Sequence, residues 1–253
     1  MSGLTPAEPV TPLAPRAVGR TVFTQTWADL TFLHWAVEPT VVEPFLPRGT
    51  RPDTLDGVTY VGLVPFVMRR VGIAGSPGIP YFGTFCETNV RLYSVDATGR
   101  RGVVFVSLDA ARLAPVLVAR WGPGLPYLWS RMRCHHSGDE VGYTCRRRWP
   151  GPRGTSSRIR VRVGPPVEAG PLEHFLTARW GLHLSDRRPG VPRTRYWPNL
   201  HPQWPLQQAT LLSMDDEILA AAGFPSLASR PPDSVLHSAG VPVVFGPRMP
   251  PEG

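Results

Sequence analysis

The chain has 253 residues, 42% of them apolar, enough to bury the core of one large domain. It carries twenty-seven arginines and no lysine, which excludes any chemistry through a lysine amine, and its formal net charge is +8. No apolar run reaches the roughly 18 residues that a membrane helix needs, so no membrane partner is expected.

Residues 1–20 are rich in Pro, Ala and Thr and lack the basic start and apolar stretch of a secretory signal. They read as a disordered lead-in to a cytoplasmic protein. Residues 21–246 then form a single domain, and 247–253 a frayed tail. Thr21 to Ala36 holds an apolar block around Leu30, Phe32 and Leu33, and Glu38-Pro39 opens a short helical stretch that stops at Pro47-Arg48-Gly49. Val58 to Met68 and Phe85 to Val95 are rich in β-branched and aromatic residues and read as strands. The second joins Gly102 to Asp109 in a hairpin through the Asp96-Ala97-Thr98-Gly99 turn. Leu113 to Arg120 reads as a helix with Pro115 near its start, and Pro126 to Arg133 as a short helix opened by Pro126. Val141 to Arg148 and Ser156 to Val163 make a second hairpin, followed by a helix over Pro171 to Arg179. Strands near Thr194 to Leu200 and Leu206 to Leu212 follow. A helix over Asp215 to Ala222, closed by Gly223, then precedes strands near Ser234 to Phe245. Many short strands punctuated by Pro and Gly indicate a mainly antiparallel β domain with a few peripheral helices.

The segment Cys86-Glu87-Thr88-Asn89-Val90-Arg91-Leu92-Tyr93 is the most informative. Alternation puts Glu87, Asn89, Arg91 and Tyr93 on one strand face and mostly apolar residues on the other. An acid, an amide, a base and a phenol in a row suit a polar cavity, where Arg holds a carboxylate and Glu moves a proton. A solvated outer face gives the same pattern. Arg158, Arg160 and Arg162 make a second, purely cationic face, with Arg146, Arg147, Arg148 and Trp149 on the preceding strand. These could hold phosphates and stack a base, but a solvated face is the preferred reading, because no nucleic-acid motif accompanies them. Codon usage in a GC-rich genome also explains abundant Arg, Pro, Gly and Ala without Lys. Nucleic acid is therefore the lesser reading. Cys86, Cys134 and Cys145 are an odd set that reads as free thiols, and Cys134-His135-His136 is poorly spaced for zinc, so no metal site is expected. No Gly-rich phosphate loop, G-x-S-x-G elbow or H-E-x-x-H appears, and no cofactor is implied.

Several ordered blocks together carry a resemblance. They are Phe32-Leu33-His34-Trp35, Asp53 to Gly57 with Tyr60 to Phe66, Glu87 to Tyr93, and Phe105 to Asp109 with Arg112. Ala119-Arg120, Leu125-Pro126-Tyr127, Leu172 to Arg179, and His201 with Trp204-Pro205-Leu206 complete the set. Over roughly residues 21 to 245 the chain resembles the YqjF-like family of uncharacterised proteins, domain of unknown function 2071. The resemblance implies an α+β domain of acetoacetate decarboxylase-like type, a mainly antiparallel β-barrel with peripheral helices around a ligand cavity. It favours the cavity reading of the Glu87 row.

In the decarboxylases a Leu-Asp block leads, through Gly-Arg-Glu, to a Tyr-Pro-Lys-Lys run whose first lysine forms a Schiff base. Here Leu108-Asp109 leads to Arg120-Trp121 and then to Pro126-Tyr127-Leu128, so the resemblance puts Tyr127 and Leu128 where the lysines would stand. Neither offers a primary amine. The implied candidates are Glu87 and Tyr127 as catalytic groups, with Asn89, Arg91, Tyr93 and Arg120 as contacts to an anionic or carbonyl-bearing small molecule. Lysine-independent dehydration, cyclisation, enolisation or aldol-type chemistry fits such a set, and so does binding without catalysis. His34 and His201 read as structural histidines. Oligomeric state leaves no signal in the sequence.

Overall fold

The computed structural model describes residues 5–73, 78, 83–121, 124–185 and 194–249. Twelve strands and four short helices follow in chain order: β1 (Phe23–Val37), α1 (Pro39–Val42, extended by one 3-10 turn, Glu43–Phe45), β2 (Thr50–Pro52), β3 (Thr59–Ile73), β4 (Phe85–Asp96), β5 (Arg101–Ala110) and α2 (Leu113–Trp121). After these come β6 (Tyr127–Ser137), β7 (Glu140–Trp149), β8 (Ser156–Pro166), α3 (Pro171–Thr177), β9 (Gly181–Ser185), β10 (Thr194–Leu200), β11 (Leu206–Asp216), α4 (Ile218–Ala221) and β12 (Ser234–Phe245).

The strands form one sheet in the order β10-β9-β5-β6-β7-β8-β11-β12-β1-β3-β4-β2, with further pairings of β4 to β5 and β10 to β12. Every pairing is antiparallel except those of β5 with β6 and β9. The extra pairings let the ladder return on itself by two routes. One runs from β5 through β6, β7, β8, β11, β12, β1, β3 and β4 back to β5, and the other runs through β9 and β10 to β12. Strands β12, β1, β3, β4 and β5 belong to both circuits and so have apolar groups to cover on both faces. In β4 every residue but Cys86 is buried. Its face carrying Phe85 and Tyr93 joins a core with Phe32, Val64, Phe66 and Phe175, while Val90 and Leu92 join a second core with Trp35, Leu63, Val141 and Ile159.

Several elements differ from the sequence expectation. The stretch expected to be a helix from Pro126 to Arg133 is the strand β6, because Leu108, Asp109 and Ala110 supply a parallel partner for Tyr127, Leu128 and Trp129. Local Pro-at-the-start chemistry gives way there to a tertiary pairing that aromatic residues favour. Strand β11 runs to Asp216, which confines the following helix to Ile218–Ala221, although Gly223 closes it at φ 100° as expected. Ser234 to Phe245 is one continuous strand. It tolerates a near-contact with β1 at Gly240, where a Cβ would lie 2.0 Å from the Trp27 carbonyl oxygen. Strands β2 and β9 were not anticipated.

Residues 5–20 contain no helix or strand, yet they are held to the domain. The Glu8 amide donates to the Gly99 carbonyl (2.9 Å), its carboxylate receives the Arg101 amide (3.0 Å), and Val18 is buried. At the other end the Met249 amide donates to the Tyr196 carbonyl (2.9 Å). The cationic row Arg158, Arg160 and Arg162 is exposed, and Glu140 lies 2.8 Å from Arg162 and 3.4 Å from Arg160. Arg147 differs from its neighbours Arg146 and Arg148 in being buried. Among the described residues no helix is long and apolar enough to cross a membrane.

Candidate functional site

Glu87, Asn89, Arg91 and Tyr93 all face the core that contains Phe32 and Phe175, and all four are buried. The row is therefore internal. Two clusters form along it. In the first, the Tyr127 hydroxyl donates to Glu87 Oε2 at 2.8 Å. Tyr127 reaches it because β6 starts beside the end of β5, whose Ala110 is the register partner of Glu87. Burial pushes the Glu87 carboxyl up to about 8, against the lowering effect of the Tyr127 bond and with help from the Asp109 charge. Glu87 is thus a neutral acid at pH 7. Burial also raises the Tyr127 phenol well above its ordinary value, and the adjacent Glu87 adds to this.

The second cluster centres on Tyr93, whose hydroxyl donates to the Leu176 carbonyl of α3 (2.9 Å) and receives Arg91 Nε (3.0 Å). Arg91 Nη2 reaches the same carbonyl at 2.9 Å. His34 Nε2 lies 2.6 Å from the Tyr93 hydroxyl. The other ring nitrogen of His34, Nδ1, is buried and has no hydrogen-bond partner. Burial, then the charges of Arg91 and Arg179, holds this imidazole well below its ordinary pKa and so neutral. Arg179 is itself buried, ion-paired with Asp53, and lies over the rings of Tyr93 and Phe175 at 4.6 and 4.4 Å. Asp53 also pairs with Arg101. Arg91, by contrast, has no carboxylate partner among the described residues. Asn89 sits between the clusters with its buried Oδ1 unpaired.

The structure therefore brings Glu87 together with Tyr127, and Arg91 together with Tyr93, on one internal strand face. Arg120 joins neither cluster through its guanidinium. It donates to the Tyr127 carbonyl at 2.6 Å and lies 5.6 Å from the Trp149 ring, so it fastens the start of β6. Tyr127, expected at a helix start, projects instead from the first residue of a strand. His34, expected to be a packed or hydrogen-bonded structural histidine, is buried and hydrogen-bonded to Tyr93 of the row. Its place in Phe32-Leu33-His34-Trp35 already put it on the Phe32 face. Asp53 and Arg179, 126 residues apart, left no such signal. Among the described residues no group of three or more His, Cys, Asp or Glu is placed to hold a metal ion.

Gly62 on β3 is part of this packing. A Cβ there would meet His34 Nε2 at 2.9 Å and Arg91 Cγ at 3.1 Å. Gly62→Ala is expected to break the His34–Tyr93 bond and to cost about 1–3 kcal/mol, the usual scale of overpacking. Urea denaturation measures the cost, and an unchanged midpoint would show that the ring has room to move.

The sequence profile of DUF2071, described as an uncharacterized conserved protein, matches residues 24–242. This chain belongs to the DUF2071 family. A DUF2071 relative, the uncharacterized protein YqjF of Bacillus subtilis (strain 168), is 30% identical over 220 residues, covering 86% of this chain and 87% of YqjF. Among solved structures, acetoacetate decarboxylase from Legionella pneumophila is similar with a TM-score of 0.66 and 12% identity, covering 95% of this chain and 92% of that one. An acetoacetate decarboxylase-like enzyme from Sphingomonas wittichii RW1 gives 0.63 and 14%, over 98% and 100%. The enduracididine biosynthesis enzyme MppR, solved in complex with pyruvate, gives 0.60 and 14%, over 98% of both chains. At these identities the likeness establishes the fold. This DUF2071 chain is thus a mixed α+β domain, with a large antiparallel-dominated sheet and peripheral helices, related to the acetoacetate decarboxylase-like fold.

Proposed function

We propose that the protein binds a small carboxylate- or carbonyl-bearing metabolite inside the barrel formed by the closed strand circuits and acts on it by lysine-independent acid catalysis. The observation that carries this reading is the buried Glu87–Tyr127 pair. A neutral carboxyl can donate its proton to a carbonyl oxygen, and the Glu87 carboxylate so formed can take a proton from the adjacent carbon, which converts the carbonyl compound to its enol and returns Glu87 to its acid form. The Tyr127 hydroxyl on Oε2 then stabilises the carboxylate left behind, because a hydrogen bond to an ionised acceptor is stronger than one to a neutral acceptor. Arg91, with no acid of its own, is the group to receive a substrate carboxylate. Asn89 stands between Glu87 and Arg91 on β4, Tyr93 lies beyond Arg91 and receives its Nε, and Arg120 positions Tyr127. An iminium on lysine has no place in the scheme, since the chain has no lysine.

The test uses pyruvate and longer 2-oxo acids in D2O, with exchange of the protons next to the carbonyl followed by NMR. Wild type is expected to accelerate exchange, and Glu87→Gln to lose most of the acceleration, of order 10²-fold or more, while binding is kept. Because the acid form is the active one, exchange is expected to fall as pH rises through about 8. Binding without exchange would support a carrier or sensor, the reading that the missing lysine favours. No binding by any member of the series would refute both.

A further inference from the structure

A hollow flanks α2, β6 and β7. A concavity of about 660 Å3 is lined by Leu113 and Leu117 of α2, Trp129 of β6, and Arg147, Arg148, Trp149 and Arg153. That volume falls within the ordinary range for small-molecule sites. Trp129 and Trp149 are register partners, so their side chains leave neighbouring points of the sheet roughly 5 Å apart. Each indole has a guanidinium on it: Arg148 lies 4.9 Å from the Trp129 ring and Arg120 lies 5.6 Å from that of Trp149. Leu113 and Trp149, each 39% exposed, stand among the exposed large apolar side chains of the molecule.

The charge of this concavity has one sign. No Asp or Glu lines it, and the carboxylate nearest in the bonding network, Asp109, is engaged by Arg147 through two hydrogen bonds. Arg148 and Arg153 have no carboxylate partner among the described residues. Among the other exposed strand arginines, Arg160 and Arg162 share Glu140. Arg131, Arg133, Arg146 and Arg158 are like Arg148 in having no carboxylate partner among the described residues, but none of these four lines the hollow. Codon bias accounts for many arginines, but it does not place two without a carboxylate partner beside two tryptophans around one hollow.

We infer that this concavity is a binding site for a nucleoside phosphate, with the base stacked on the Trp129 and Trp149 pair and the phosphate held by Arg148 and Arg153. Indoles give a π-face to any base, and guanidinium pairs match the several oxygens and double charge of a phosphate monoester better than a single carboxylate. The apolar wall from Leu113 and Leu117 shields the ring edge. None of the residues that would hold the ligand here belongs to the Glu87 row, and the hollow opens to solvent; Arg120, which fastens the start of β6 and lies over Trp149, is the one residue near both.

Isothermal titration of the full chain with 5′-AMP, adenosine, ribose 5-phosphate and inorganic phosphate tests the inference, with tryptophan fluorescence recorded in parallel. AMP is expected to bind and quench fluorescence. Adenosine and ribose 5-phosphate, each keeping half of the contacts, are expected to bind at least about tenfold more weakly. Trp149→Ala and the double variant Arg148→Ser/Arg153→Ser are each expected to weaken AMP by roughly tenfold or more, with Trp149→Phe intermediate. Glu87→Gln is expected to leave AMP affinity unchanged. The inference is overturned if AMP fails to bind at millimolar concentration, or if inorganic phosphate matches AMP, as a bare basic patch would allow. It is also overturned if only a single-stranded oligonucleotide binds, or if Glu87→Gln abolishes AMP binding.

Discussion

Glu87→Gln is expected to leave stability nearly unchanged at pH 5 and to make the protein markedly more stable than wild type at pH 9. The reason is linkage. In the unfolded chain the carboxyl titrates near its ordinary value of 4.5, whereas in the folded chain burial raises it to about 8. Between these values the unfolded state has released a proton that the folded state still holds, so wild-type stability from this group is full below pH 4.5 and falls as pH rises to about 8. At 1.36 kcal/mol per unit, the whole displacement corresponds to roughly 5 kcal/mol. Glutamine keeps an oxygen to accept the Tyr127 hydroxyl and never ionises. Other titrating groups are common to both proteins and cancel in the difference, so the melting temperature of the variant minus that of wild type isolates this one site. It should climb by roughly 10–20 °C across the window, taking about 2–4 °C per kcal/mol for a chain of this size. Parallel pH profiles for the two proteins would mean that Glu87 is ionised in the fold at neutral pH, and would remove the acid from the proposed mechanism.

The face on which Glu87 lies was legible from alternation alone, since a strand of period two separates Glu87, Asn89, Arg91 and Tyr93 from Val90 and Leu92. Whether that face met water was not. Here it does not, because β4 belongs to two closed circuits of strands and is covered on both sides, a property of topology that no single segment encodes. Tyr127 was reached through resemblance, while its strand was mistaken for a helix because Pro126 is as good a helix opener as a strand flank. Strand β9, only Gly181–Ser185, follows a helix so closely that its four buried positions give no measurable period. The Asp53–Arg179 pair illustrates the general limit. A buried ion pair depends on two positions 126 residues apart coming together, and composition or local pattern carries no trace of it. The arginine run at 146–148 shows the same in miniature, because one member is buried against an aspartate and its neighbours are exposed.

That buried member sets the second large expectation. Asp109→Ala is expected to destabilise the protein by about 3–5 kcal/mol, the cost of stranding a buried charge. Asp109 is fully buried and receives Ser130 Oγ at 2.6 Å, Arg147 Nε at 3.0 Å and Arg147 Nη2 at 2.7 Å. One carboxylate thus ties β5, β6 and β7 together at the place where β6 begins its parallel pairing with β5. Without it the Arg147 guanidinium, only 3% exposed, has no counter-charge. Removing both charges at once is a different matter, since an apolar pair of similar volume avoids the desolvation of either ion. Asp109→Leu/Arg147→Met is therefore expected to recover most of the loss, and a double variant as unstable as the sum of the single ones would contradict this account. The same aspartate also raises the Glu87 pKa through its charge. Asp109→Ala should accordingly shift the alkaline limb of the proton-exchange profile to lower pH while the affinity for 2-oxo acids is kept, because its side chain touches none of the residues on the Glu87 face. Guanidinium denaturation measures the first effect and the pH dependence of exchange the second. A variant that lost stability with no movement of the alkaline limb would confine Asp109 to holding the strands together.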